Sequence, residues 1–105
     1  MKTPSTLDAR VAEVIGDAYA TWTAAVERAV QLGIDPSIYR EPQITIGYIV
    51  DYLNQAAAPE EYRFRSRRTQ YGMVRTALRR LHKAGLVRVE DGGREKWYEP
   101  AGARR

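Results

Sequence analysis

The stretch VRTALRRLHKAGLVRVEDGGREKWYEP, residues 74–100, decides the fold of this chain. Its first half belongs to a helix that we expect at residues 67–84, because apolar side chains recur there at three- and four-residue steps. Gly85 follows and supplies the left-handed conformation that commonly ends a helix. The positions expected to face the core are Tyr71, Val74, Leu78 and Leu81.

The second half of the same stretch has the features of a β-hairpin. Residues 86–90 and 95–99 read as two short strands, separated by the segment DGGR at residues 91–94. Asp-Gly between two such runs is a strong signal for a tight hairpin turn. The chain should therefore pass from a helix directly into a glycine-tipped hairpin.

The residues before this stretch predict two further helices. Residues 6–32 place apolar side chains on one face of a long helix. A very short strand is expected at residues 43–46, and a second helix at residues 45–57 with Thr45 as its cap. Residues 58–66 form a connection in which aromatic residues alternate with arginines, a pattern closer to extended chain than to helix.

Length and composition fit one folded domain over residues 1–105, with a hydrophobic fraction of 44%. The expected class is α+β, mainly α, with three helices followed by the hairpin. The lack of cysteine excludes disulfides and thiolate metal sites, and the N-terminus lacks the apolar run of a signal peptide. No window is long and apolar enough for a membrane span. These features predict a cytoplasmic protein that does not contact a membrane.

Basic residues are concentrated at residues 62–89, where nine occur without any Asp or Glu. They are Arg63, Arg65, Arg67, Arg68, Arg75, Arg79, Arg80, Lys83 and Arg88. Residues 1–59 carry a net charge of −3, whereas residues 60–105 carry +7. This asymmetry attracts a negative partner and favours nucleic acid over a small-molecule substrate. The alternative is a solvated helix face, although such a face usually interleaves Glu with Lys and Arg.

The order helix, short strand, helix, basic helix and hairpin resembles the winged helix-turn-helix family over residues 45–100. The resemblance is carried mainly by residues 74–100, where a helix ends in KAGLV and enters the glycine-tipped hairpin. It implies duplex-DNA binding, with helix 67–84 in the major groove and hairpin 86–99 as a wing along the flanking backbone or minor groove. The connection before the third helix is longer than the few residues usual in the family.

The outward face of the third helix supplies the candidate DNA contacts. A major groove about 12 Å wide admits one helix and presents phosphates on both sides of it. Arg68 and Arg75 can reach guanine edges, while Thr69, Gln70 and Thr76 can bond to bases or phosphates. Arg79, Arg80 and Lys83 are expected to meet phosphates, and in the hairpin Arg94 and Lys96 are expected at the backbone or in the minor groove. Arg65 and Arg67 are further candidate DNA contacts near the start of the helix.

The long first helix has a wide apolar stripe, which Tyr19, Val26 and Val30 extend beyond its main face. A stripe of this width predicts contact with a second chain, and N-terminal extensions in winged-helix regulators often serve dimerisation. We therefore expect a homodimer in which these three residues lie at the interface. Ordinary packing in the core of the domain is the alternative.

The sequence does not predict an enzyme. His82 is the single histidine, and no carboxylate occurs in the neighbouring helical turns. Glu60 and Glu61 are adjacent on a connection beside basic residues, where solvation or charge balance is their default role. We find no catalytic constellation, and we expect no cofactor and no metal.

The leading hypothesis is therefore a sequence-specific duplex-DNA binder, most simply a transcriptional regulator acting as a symmetric dimer. A chromosomal or replication-associated protein that binds DNA without sequence preference is a second hypothesis. A protein-interaction module with the same fold is a third, and the density of basic residues weighs against it. RNA binding is disfavoured because no sheet with alternating aromatics is predicted.

Overall fold

The computed structural model describes residues 6–56 and 58–102. Within them the chain forms four α-helices, one turn of 3-10 helix and a two-stranded antiparallel hairpin. In chain order these are α1 (Thr6–Gln31), the 3-10 helix (Pro36–Ile38), α2 (Ile46–Gln55), α3 (Glu60–Arg63), α4 (Arg67–Lys83), β1 (Val87–Asp91) and β2 (Lys96–Pro100). The fold is α+β and mainly helical, as the sequence predicts. Among the described helices, none is both long and apolar enough to cross a bilayer.

Local chemistry sets both ends of α4. The hydroxyl oxygen of Ser66 accepts a hydrogen bond from the amide of Thr69 at 3.2 Å, and it satisfies a donor that the helix itself leaves unpaired. At the other end, Gly85 has a φ of 77°, and the amide of Leu86 donates to the carbonyl oxygen of Leu81 at 3.0 Å. This closure turns the chain directly from α4 into β1.

β2 pairs with other backbone segments on both of its edges. β1 and β2 pair antiparallel with Val89 opposite Tyr98. On the other edge of β2, the amide of Tyr98 donates to the carbonyl oxygen of Ile44 at 2.9 Å in a single antiparallel bridge. The short strand expected at residues 43–46 is thus one bridging residue. β2 lies between this bridge and β1.

The core lies between the first half of α1, α2, α4 and the inner side of the hairpin. Its buried members are Leu7, Val11, Val14, Ile15, Tyr19, Ile44, Ile49, Val50, Leu53, Tyr62, Val74, Ala77, Leu78, Leu81, Val87 and Tyr98. Removal of these side chains from water is the main driving force for the fold. Tyr71, which was expected among them, is half-buried at the edge of the core.

The connection between α2 and α4 is more ordered than the sequence predicts. The expectation of extended chain at residues 58–66 is wrong, because residues 60–63 form the short helix α3. α3 buries the ring of Tyr62 completely, and the Tyr62 hydroxyl lies 3.5 Å from the carbonyl oxygen of Val50 in α2. α2 ends at Gln55, and Ala57, its expected end, lies outside the described residues.

Tyr19 belongs to the core of its own domain, so its assignment to a dimer interface is wrong. Its side chain is 7% exposed, and its hydroxyl donates to Glu99 Oε2 at 3.3 Å and lies 3.2 Å from the carbonyl oxygen of Pro42. Burial, with the charges of Glu41 and Glu99, raises the pKa of this hydroxyl. The other two residues expected at that interface differ: Val26 is half-buried and Val30 is exposed.

Candidate nucleic-acid interface

Gln70 lies on the buried side of α4, and the expectation that it contacts DNA is wrong. Its side chain is 3% exposed. The Gln70 Oε1 atom accepts from Asn54 at 3.0 Å, and Nε2 donates to Asn54 Oδ1 at 2.9 Å and to the Tyr62 carbonyl oxygen at 3.1 Å. These bonds join α4 to α2 and α3, and they fix which side of α4 faces outward.

The outward side of α4 carries only basic charge. Arg68, Arg75, Arg79 and Lys83 are exposed, and the 17 residues of α4 contain no Asp or Glu. None of these four side chains forms an ion pair with another described residue. Their positions agree with the rotation of about 100° per residue that places them opposite the buried positions.

A groove of about 660 Å³ separates α4 from the hairpin. Arg75 and Arg79 line it from α4, while Arg94 and Lys96 line it from the hairpin turn and β2. Among the described residues, Glu95 is the one carboxylate that also lines this groove. The fold therefore brings together two pairs of basic residues that the sequence places in different elements.

Tyr98 of β2 also lines the groove. Burial raises the pKa of its hydroxyl, and the positive charges of Arg75 and Arg79 act in the opposite direction. Arg75 and Arg79 line the same groove as Tyr98. An anion entering the groove would therefore meet two arginine charges from α4 on one wall.

The start of α2 forms another part of the groove wall, which sequence reasoning missed. Thr45, Ile46 and Gly47 line the groove, and the Thr45 hydroxyl oxygen accepts from the amide of Tyr48 at 3.1 Å. The N-terminal end of a helix carries a partial positive charge. The sequence signals the cap at Thr45, but only the packing of α2 on α4 brings it to the basic groove.

Arg67 and Arg80 are engaged with carboxylates from other helices. Arg67 Nη2 donates to Asp51 Oδ1 at 2.7 Å, and this bond raises the arginine pKa. Arg80 donates from both Nε and Nη2 to Asp8, each at 2.7 Å, which likewise raises its pKa. Both were expected to bind DNA, but the structure uses them to connect α4 with α2 and α1.

Thr69 and Thr76 lie on the side of α4 that faces away from the hairpin groove. With Arg80 and Met73 they line a separate shallow cavity beside Leu7 of α1. The Ser66 hydroxyl donates to Thr69 Oγ1 at 3.0 Å, and Thr76 donates to the Gly72 carbonyl oxygen at 2.9 Å. Both threonines are exposed, but their hydroxyls already take part in local hydrogen bonds.

Arg65 lies in the short connection between α3 and the N-terminal end of α4. Its Nε donates to the Glu61 carbonyl oxygen at 3.1 Å, and its side chain is exposed. Arg63 lies over the ring of the exposed Phe64, with 5.5 Å between the guanidinium carbon and the ring centroid. These residues extend the basic surface beyond the start of α4, but they do not line the groove.

The described arrangement is suited to binding an anion. His82 Nδ1 lies 3.1 Å from the Val87 carbonyl oxygen, and the described residues contain no group of three His, Cys, Asp or Glu side chains suited to a metal ion. The exposed basic side chains offer charge and hydrogen-bond donors.

Comparison of the chain with protein-family models, curated proteins and solved structures found no match.

Proposed function

We propose that this chain binds double-stranded DNA, with α4 in the major groove and the hairpin against the neighbouring backbone. The observation that carries the proposal is the placement of six basic side chains along α4 and across the groove. They are Arg68, Arg75, Arg79, Lys83, Arg94 and Lys96. A DNA groove presents phosphates on both sides of an inserted helix, and this surface presents cations on α4 and on the hairpin beside it.

The order of elements supports a winged-helix mode of binding. α1, the Ile44 bridge, α2, α4 and the hairpin follow one another as in the winged helix-turn-helix family, and α3 occupies the long connection. In that arrangement α4 is the recognition helix and the hairpin is the wing. Arg94 and Lys96 would then contact phosphates flanking the site of α4.

Base recognition by this surface rests on arginine. Arg68 and Arg75 are exposed and can form bidentate hydrogen bonds with guanine O6 and N7. We therefore propose a sequence-specific regulator of transcription whose site includes guanine. The burial of Gln70 favours a second candidate, a DNA-packaging or replication-associated protein without sequence preference, because it removes a side chain suited to reading adenine.

Salt dependence tests the proposal directly. Each neutralised phosphate contributes about −0.9 to the slope of the logarithm of affinity against the logarithm of salt concentration, so the four phosphate contacts of Arg79, Lys83, Arg94 and Lys96 give about −3.6. Titration of one labelled duplex at several salt concentrations measures this slope. Arg94→Gln should reduce the magnitude of the slope by about 0.9, the contribution of one contact. Arg10→Gln removes a cation that is paired with Glu13 on α1, and it should leave the slope unchanged.

Two results would contradict the proposal or redirect it. A lack of duplex binding at low salt, or a slope near zero, would exclude DNA as the partner. Selection from a random duplex library separates the two candidate functions, because a sequence-specific regulator enriches a guanine-containing site. An unenriched library, together with equal weakening of all sequences by Arg75→Ala, would favour the protein without sequence preference.

A further inference from the structure

An apolar surface lies at the C-terminal end of α1, where no described element covers it. We define the 30–39 patch as the exposed side chains of Val30, Leu32, Ile34, Ile38 and Tyr39. Their exposed fractions range from 42% for Tyr39 to 62% for Val30 and Ile38. The 3-10 helix packs back on α1, so both groups of residues lie at the same end of the molecule. Exposed apolar side chains gathered in this way mark an interaction site.

The 30–39 patch is almost free of charge. Asp35 is the single charged residue between positions 30 and 39, and its Oδ1 accepts from the amide of Ser37 at 3.0 Å. This hydrogen bond lowers the pKa of Asp35 and caps the 3-10 helix. Depletion of charge at the centre of a surface is characteristic of the core of a protein interface.

Charges of both signs flank the patch in sequence. Glu27 and Arg28 precede it, Arg40 and Glu41 follow it, and all four are exposed. A partner surface whose charges all have the same sign would be attracted by half of these charges and repelled by the other half. A second copy of the chain related by a two-fold axis can instead place each charge near one of opposite sign, and its own patch is equally apolar.

The backbone that carries the patch is fixed by the domain itself. The Trp22 indole Nε1 donates to the Tyr39 carbonyl oxygen at 3.0 Å, and the Ile34 amide donates to the Ala29 carbonyl oxygen at 2.8 Å. A surface that is already ordered loses less conformational entropy on association. Its apolar side chains are therefore available to a partner without refolding.

We propose that the 30–39 patch is the interface of a homodimer, in which it packs against the same patch of a second copy. The patch shares no residue with the lining of the basic groove. The dimer follows from the patch alone and does not depend on DNA binding.

Sedimentation equilibrium without DNA tests the dimer. The wild-type chain should show a reversible monomer–dimer equilibrium at tens of micromolar. Ile38→Lys places a cation in the apolar centre and should raise the dissociation constant about tenfold or more. Leu86→Lys is the matched control, since this side chain is 60% exposed at the entry to the hairpin, and it should leave the dissociation constant unchanged.

Circular dichroism and thermal unfolding establish that each variant is folded. If Ile38→Lys does not fold, Val30→Lys makes the same test on α1, since Val30 is also 62% exposed. A wild-type chain that remains monomeric at tens of micromolar overturns the proposal. So does a dimer that Val30→Lys and Leu86→Lys weaken equally. Loss of the dimer in these experiments would leave the DNA proposal standing, because the salt titration is independent of it.

Discussion

Arg79 and Arg80 are neighbours in sequence with different surroundings. Arg79 lines the groove beside the hairpin, whereas Arg80 forms a two-bond ion pair with Asp8 in the first turns of α1. One residue step rotates a helical side chain by about 100°, which is enough to separate the two roles. The proposed DNA interface therefore depends on Arg79 more than on Arg80.

We expect Arg79→Ala to weaken duplex binding and to reduce the magnitude of the salt slope by about 0.9. Arg80→Ala should affect DNA affinity less and instead lower the free energy of unfolding by up to about 1 kcal/mol, because its pair with Asp8 is partly exposed. Duplex titrations and urea unfolding of both variants provide the comparison. Equal loss of DNA affinity in the two variants would show that the separation of roles is incorrect.

Gln70→Met tests the structural role of the buried amide. Methionine keeps the approximate volume but leaves the Tyr62 carbonyl oxygen without the donor at 3.1 Å. The free energy of unfolding should fall by about 1–3 kcal/mol, the cost of an unsatisfied buried polar group. Sequence preference in DNA binding should be unchanged when the variant is measured while folded. A change in the preferred base would mean that Gln70 reads DNA after all.

The outward positions of Arg68, Arg75, Arg79 and Lys83 could be predicted from helical periodicity, because periodicity depends only on neighbouring residues. The roles of Gln70 and Arg80 could not. Gln70 bonds to Asn54, 16 positions away, and Arg80 bonds to Asp8, 72 positions away. Such partners become visible only when packing brings the helices together.

At the level of elements, α4 and the hairpin could be predicted because each carries its own boundary signals. Gly85 ends α4 and Gly92-Gly93 lies in the hairpin turn, whereas the Ser66 cap at the start of α4 was not predicted. α3 has no comparable signal, since four residues are too few to show a period. Burial of Tyr62 in the core accounts for the position of α3, and that burial is a tertiary effect.

Gly92→Ala should disturb the hairpin turn. A Cβ at this position would lie 2.8 Å from the Glu95 carbonyl oxygen and 3.0 Å from the Trp97 ring, so the turn must shift. We expect a loss of about 1–3 kcal/mol in unfolding free energy and weaker duplex binding, because the turn carries Arg94. Urea unfolding and duplex titration measure the two effects.

Gly93→Asn is the matched variant for this turn. Gly93 has a φ of 89°, and a Cβ there has no atom within 4 Å. Asparagine enters the left-handed region more readily than other residues with a side chain, so it should cost much less stability than Gly92→Ala. Equal destabilisation by the two substitutions would argue against a steric cause at position 92.

At the level of the whole molecule, three buried tyrosines make the fold sensitive to alkaline pH. Burial raises the pKa of Tyr62 to about 12 from an ordinary value of 10.0, and it also raises the pKa values of Tyr19 and Tyr98. The folded state therefore holds these protons more tightly than the unfolded state. The associated stability is complete below about pH 10 and is lost as pH rises toward the folded-state pKa values.

Tyr62→Phe tests this linkage. We expect the wild-type free energy of unfolding to fall between about pH 10 and 12, and the variant to lose less over that range, because it has no proton to release at position 62. Urea unfolding at a series of pH values measures both curves. Parallel curves for the two proteins would show that ionisation of Tyr62 does not contribute to alkaline unfolding.

The single bridge at Ile44 should also give two amides of the hairpin different rates of hydrogen exchange. Val89 and Tyr98 face one another on the same rung, and the Tyr98 amide points toward Ile44. Alternation along an antiparallel ladder then points the Val89 amide away from β2, off the outer edge of the sheet. In deuterated water the Val89 amide proton should exchange without any opening of the native state. The Tyr98 amide proton should exchange only when β2 separates from Ile44. Two amides of one rung should therefore exchange at different rates, because only the Tyr98 proton requires the structure to open.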